Sequence, residues 1–267
     1  MYLFSYFKKH LTAEKESKDE TYLQNISLGF FGRFGHAGRL MDLEIRLLLR
    51  SKRARSYLLM SFAILFFPLI MSNSEGLGKE FTYILFGLLM TGMIALNHGQ
   101  LMLSWNSLHF DLLQSRGNTI HDIFKAKYYI LALSCVVTYV LTLPYVFYDP
   151  MIVVFNTALL FINTSFSIYM YMALAGYNSL RVDPDEGNSF SMSGFGAAHY
   201  LIGIPIMVFP IVLFYAGKFG FGSTTGGVLT LLVVGVVATI FHKKVIDACV
   251  NLFGKNRYKI AAAFRKE

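Results

Sequence analysis

The sequence is poor in charge: Asp, Glu, Lys and Arg make up 15% of its 267 residues, where a soluble domain carries roughly a quarter. So large a deficit has to be gathered into long uncharged segments, which argues against an ordinary soluble globular domain. The chain has only two cysteines, Cys135 in an apolar stretch and Cys249 near the carboxyl terminus. They are not expected to meet, so a disulfide framework is excluded and both read as packing residues. A phosphate-binding G-x-x-x-x-G-K-[ST] loop is missing; Gly217 to Thr224 and Gly254-Lys255-Asn256 lack the required order. The first 25 residues are polar and mixed in charge and do not read as a cleavable signal peptide.

Apolar sequence fills the space. Hydrophobic residues make up 55% and aromatics 16%, and the mean hydropathy is +0.49. Six stretches approach or reach the about 20 residues of helix that cross a hydrocarbon core. They are Tyr57 to Ser72, Phe81 to Leu103, Tyr128 to Tyr148, Met151 to Tyr177, Tyr200 to Ala216 and Gly226 to Phe241. The expected fold is therefore all-α, a polytopic membrane protein with six transmembrane helices. The first stretch is short and relies on its flanks, Arg55 and Ser72 to Ser74, to snorkel or thin the bilayer. Only Asp149 and Pro150 separate the third and fourth, which makes them a tight hairpin, and a Gly-rich loop from Gly217 to Gly227 precedes the sixth. Pro144, Pro205 and Pro210 are candidate bending points, since each removes a backbone donor. The domain reading is a polar cytoplasmic segment (1–35), an amphipathic lead-in helix (36–56), a six-span domain (57–242) and a basic cytoplasmic tail (243–267).

Orientation follows from the cations. Residues 1–56 hold eleven Lys or Arg, 104–127 three, 178–199 one, and the tail after Phe241 seven; the opposite side has only Lys79 and Lys218. Both termini are expected inside the cell, in a bacterial cytoplasmic (inner) membrane. The net charge of +8 then faces the anionic inner leaflet. Nucleic acid is not an expected partner, because no compact module interleaves basic and aromatic residues.

All sixteen carboxylates fall outside the apolar cores. An ion-coupled transporter usually keeps an ionisable group at membrane depth. This chain offers only His98, beside Asn97, as a relay candidate, and a hydrogen-bonded packing histidine reads the same way. No cofactor or metal is implied and no catalysis is expected, since no acid–base pair or nucleophile constellation converges. If the spans move a cargo, the energy comes from a partner.

Three polar segments could receive one. In His36 to Arg53, Arg39, Asp42, Arg46, Arg50 and Arg53 share one stripe, and Leu40, Met41, Leu47 and Leu48 cover the other side. This basic amphipathic helix suits the inner interface. Glu44 lies on its apolar side, where a carboxylate is costly unless paired; Lys125 or Lys127 is the expected cation, with a half-buried, solvated Glu44 as the alternative. Ser104 to Lys127 joins spans two and three; Gly117-Asn118 divides it into two short helices, and Thr119 to Asp122 resembles a capping box. Trp105, His109, Phe110 and Asp111, together with Glu44, Arg46, Lys125 and Lys127, are the candidate docking residues, Trp105 as an exposed aromatic anchor. A metal set of His98, His109 and Asp111 lacks the helical HxxxH spacing or a Cys partner. In Asn178 to His199, Asp183, Asp185 and Glu186 surround Pro184 and Gly187 as a solvated acidic turn without calcium-loop alternation.

The stretches GQLMLSWNSLHFDLLQSRGNTIHDIFKAKYY, LEIRLLLRSKRARS and NRYKIAAAFRKE resemble an uncharacterised bacterial membrane family of domain-of-unknown-function type, commonly labelled ABC-2-type permease-like. The resemblance covers most of residues 36–267. It implies that the chain corresponds to the carboxyl-terminal half of a protein about twice as long, or is a half-size protein that pairs. The wider ABC-2 class is similar in having six spans per half, an amphipathic helix before the first and a coupling helix between the second and third. It often has re-entrant helices between spans five and six, for which 217–225 leave little room. The resemblance thus implies a permease subunit powered by a separate ATP-binding subunit, paired with a second six-span half. A non-transporting membrane scaffold or assembly factor is the competing expectation.

Overall fold

A computed structural model describes residues 35–66, 78–109, 120–177 and 197–265, and among these every regular element is helical. Helix α1 spans Gly35–Arg50. It stops where the Ser51 hydroxyl accepts a hydrogen bond from the Ala54 amide (3.1 Å) and so caps α2, Lys52–Ile64. The lead-in helix expected to continue through Arg53 is therefore two helices, because a serine at this position satisfies an amide that a continuous helix would bond itself. At 13 residues α2 is about 20 Å long, and the remainder of the first apolar stretch lies outside the described residues.

The long apolar elements follow. Helix α3 (Lys79–Gly99) passes through a turn into a 3-10 segment, Ser104–His109. Helix α4 (Ile120–Thr142) tightens into a 3-10 turn, Leu143–Phe147, at Pro144. Helix α5 (Pro150–Ile162) opens with Pro150 in its first turn and Asp149 as cap, the carboxylate accepting from the Met151 amide at 2.9 Å. A π-helical turn, Asn163–Ser167, joins α5 to α6 (Ile168–Ala175). Helix α7 (Ala197–Phe221) runs unbroken with Pro205 and Pro210 inside it. Ser223 caps α8 (Thr224–Ile240), and α9 (His242–Arg265) leaves at a bend of 63°.

Among the described residues, four stretches are long and apolar enough to cross a membrane: Lys79–Ser107, Ile120–Phe147, Pro150–Ala175 and Leu201–Phe221; α8 with α9 makes up to five. Among the described residues the chain is thus an all-helical membrane protein with four to five candidate spans. The stretch expected as a sixth span corresponds to α8, which reaches spanning length only together with the bent α9. Val137, Val140, Leu201, Ile204 and Val212 face outward on α4 and α7, as expected of surfaces solvated by lipid tails rather than water.

Helix α3 packs against α2, α4 and α5, and α8 packs against α5 and α7. Two glycines set the α3–α5 distance. A Cβ at Gly87 would lie 2.6 Å from Leu159 Cδ1, and one at Gly92 would lie 2.6 Å from Asn163 Nδ2, so any larger residue would have to displace these side chains. The same interface holds a polar chain: Asn163 donates to the Leu88 carbonyl (3.0 Å) and the Thr91 hydroxyl (2.8 Å), and Thr138 donates to the Thr91 carbonyl (3.0 Å). Such bonds tie helices together where the hydrophobic effect between them is weak.

Each end of α3 is fastened by charge. At its amino end Glu80 accepts from Lys218 of α7 (2.5 Å) and Thr224 of α8 (2.6 Å), and Tyr83 donates to Asp149 at 2.5 Å. The other end carries a different arrangement.

Candidate functional site

Beyond α3 the chain stays inside: residues 101–107 are buried without interruption. The 3-10 turn that they enter places Asn106 between α1 and the first turns of α4. Lys127 reaches Glu44 Oε1 at 2.8 Å, and the two side chains are 2% and 8% exposed. Asn106 completes a triangle, donating from Nδ2 to Glu44 Oε1 (2.8 Å) and accepting from Lys127 at Oδ1 (2.8 Å). An amide is suited to this position because it carries a donor and an acceptor on one planar group.

The amphipathic pattern explains how Glu44 comes to be inside. Leu40, Met41 and Leu48 bury the face of α1 that packs against α4, and Glu44 lies on that face. Stripping water from two charges costs several kcal/mol per ion, which only close geometry and further hydrogen bonds repay. Lys127 and Asn106 supply both, although Glu44 Oε2 has no hydrogen-bond partner among the described residues. Of the two expected cations, Lys127 faces Glu44 while Lys125 is half-buried on another side of α4.

Trp105 stands beside this triangle and is 1% exposed. Its indole nitrogen donates to the His98 carbonyl (3.2 Å), the His98 ring stacks on it with centroids 5.5 Å apart, and Tyr57 meets it edge-on at 6.2 Å. The expected exposed docking anchor is instead a wedge between α2 and α3. The physical reason is that the chain continues from α3 in helix-like turns through Ser107, which brings Trp105 onto the same side as His98, two turns earlier. His98 is buried, with Nδ1 unpartnered among the described residues. A cavity of about 10 Å³ adjoins it, lined by Tyr57, Ser61, Asn97 and Trp105 among others.

The other expected residues are dispersed. Arg46 pairs with Asp42 one turn away at 2.9 Å on the partly exposed side of α1. His109 ends the 3-10 segment, and Phe110 and Asp111 lie outside the described residues. Residues 120–127, expected as a separate short helix, are the first turns of α4, since nothing after Ile120 breaks the helix before Thr142. Asn106 was not singled out in the sequence; the signal for it is a lone amide in an apolar run facing a helix with a misplaced glutamate. Among the described residues no group of three or more His, Cys, Asp or Glu is placed to hold a metal ion.

This arrangement positions and couples: it locks α1, the turn after α3 and the start of α4 into one unit. A family model described as "Family of unknown function (DUF5687)" matches residues 1–267. Searches of curated proteins and of solved structures found no match.

Proposed function

The chain belongs to this family of unknown function, and from that premise we propose that it is the permease subunit of an ABC-2-type exporter, powered by a separate ATP-binding subunit. It would work in a bacterial cytoplasmic membrane with six spans and both termini inside, paired with a second six-span half. The observation that carries this reading is the Glu44–Asn106–Lys127 triangle. A subunit that takes up work from a partner needs its receiving segment rigidly joined to the spans, so that a push at the surface moves helices rather than deforming a loop. The triangle joins the segment after α3 both to α1 and to the root of α4. Trp105 is committed to the interior, so among the expected docking residues Phe110 and Asp111, which lie outside the described residues, are the ones to test.

The test is purification of the tagged chain from native membranes, with ATPase activity and protein identity read together. Co-purification of an ATP-binding subunit whose hydrolysis depends on this chain supports the permease reading. A stable complex without any nucleotide-binding partner overturns it in favour of a scaffold. Asp111→Ala should weaken association without affecting membrane insertion.

A further inference from the structure

The carboxyl-terminal helix α9 has no part in the reading above. From His242 to Arg265 it carries six Lys or Arg and one Asp, too much charge for hydrocarbon. It starts immediately beyond α8 and turns aside by 63°; with α8 across the bilayer, that bend and that charge would direct α9 along the boundary of the apolar layer and not through it. Its inner edge is fixed by packing. Ile246, Cys249, Phe253 and Ile260 are buried against α4 and α6. Phe253 meets Phe124 at 5.6 Å, and the Asn256 amide donates to the Gly176 carbonyl at 2.9 Å.

At about 100° per residue, those four apolar positions occupy an arc of about 60°. Lys244, Lys255 and Lys259 occupy another arc of similar width on the far flank, with Ala248 in its centre, and all four are exposed. The helix's one acid, Asp247, lies 3.2 Å from His121 of α4, so it is engaged away from the lysine arc. Aromatic rings accompany the cations: Lys244 Nζ lies 5.3 Å from the Phe241 ring at the bend, and Tyr258 is 82% exposed. Rings and cations together are the usual equipment of a headgroup layer.

We propose that Lys244, Lys255 and Lys259 form a binding strip for anionic phospholipid headgroups, so that α9 holds the bundle end carrying Glu44 and Lys127 to the membrane surface. Lipid is favoured over an acidic protein because the bend sets α9 beside the apolar layer, where phosphodiesters are already concentrated. The inference needs only that α8 be membrane-embedded and does not rest on the permease reading.

The full chain carrying Ala248→Cys, labelled there with an environment-sensitive fluorophore, is placed in nanodiscs. One set is phosphatidylcholine alone and the other equal parts phosphatidylcholine and phosphatidylglycerol. The expected result is a blue-shifted emission, quenched by headgroup spin-labelled lipid, in the anionic discs only. It should be lost in high salt and in Lys244→Gln/Lys255→Gln/Lys259→Gln, but kept in the triple Lys→Arg variant, with helicity unchanged in both. The same emission in both discs, or in the Gln variant, overturns the proposal. So does shielding of the label in native membranes that neutral discs reproduce only after an acidic protein is added.

Discussion

The two ends of α3 solve one problem in opposite ways. At its amino end the Glu80–Lys218 pair is about a quarter to a third exposed, at 24% and 32%, and water or headgroups still reach both charges. At its carboxyl end Glu44 and Lys127 are almost wholly enclosed, with an amide between them. An exposed pair contributes about 0–1 kcal/mol and is screened by salt. A buried pair adds little net stability over an apolar pair of the same shape, yet removing one partner strands the other charge. The amino end can therefore part cheaply, while the carboxyl end either holds as a unit or fails. That asymmetry is what the proposed permease reading would use, with one end able to part and the other held as a unit.

The largest effect expected is from Lys127→Ala, which leaves the Glu44 carboxylate buried and unpaired. Loss of about 3–5 kcal/mol is expected, read as a fall in unfolding midpoint in detergent. The double variant Glu44→Leu/Lys127→Met should recover most of it. Recovery of stability without recovery of partner-dependent activity would show that the pair is kept for coupling. If Lys127→Ala alone is as stable as wild type, the contrast between the ends collapses. Trp105→Ala comes next. It opens a cavity between α2 and α3 and strands no charge, so about 3–5 kcal/mol is its upper range and relaxation of the surrounding side chains lowers it; the same midpoint assay reads it. A wild-type midpoint would return Trp105 to the surface.

At the other end, Lys218→Ala should cost no more than about 1 kcal/mol, and the cost should shrink as salt is raised. A salt-independent loss matching that of Lys127→Ala would erase the difference between the two ends. Thr224→Val, which removes one neutral donor to Glu80, should have the smallest effect, about 0.5 kcal/mol, the low end for a hydrogen bond that water can replace. It sharpens the comparison by separating the hydrogen bond from the charge.

Much of this protein was legible in its sequence, and for a definite reason. Lipid tails cannot hydrogen-bond a backbone, so long uncharged runs must be helices, and the spans from Phe81 to Tyr177 and Tyr200 to Ala216 follow. Asp149-Pro150 marks a turn because proline is preorganised for a first helical turn and aspartate for the cap before it. Glu44 stood out for a related reason: a helix has a fixed period, so a carboxylate among leucines on one face has to be explained. Periodicity alone, however, cannot say what lies across from a face. That Lys127 and not Lys125 meets Glu44, that Asn106 bridges them, and that Trp105 turns inward to stack on His98 all depend on where a turn of a few residues after α3 directs the chain. The break at Ser51 was likewise decided by which groups could be satisfied locally. The sequence determined a helical membrane protein, because the bilayer imposes that on any chain of this composition. Which of its few polar residues are joined was left to the tertiary structure, because an ion pair depends on ångström distances between segments far apart in sequence.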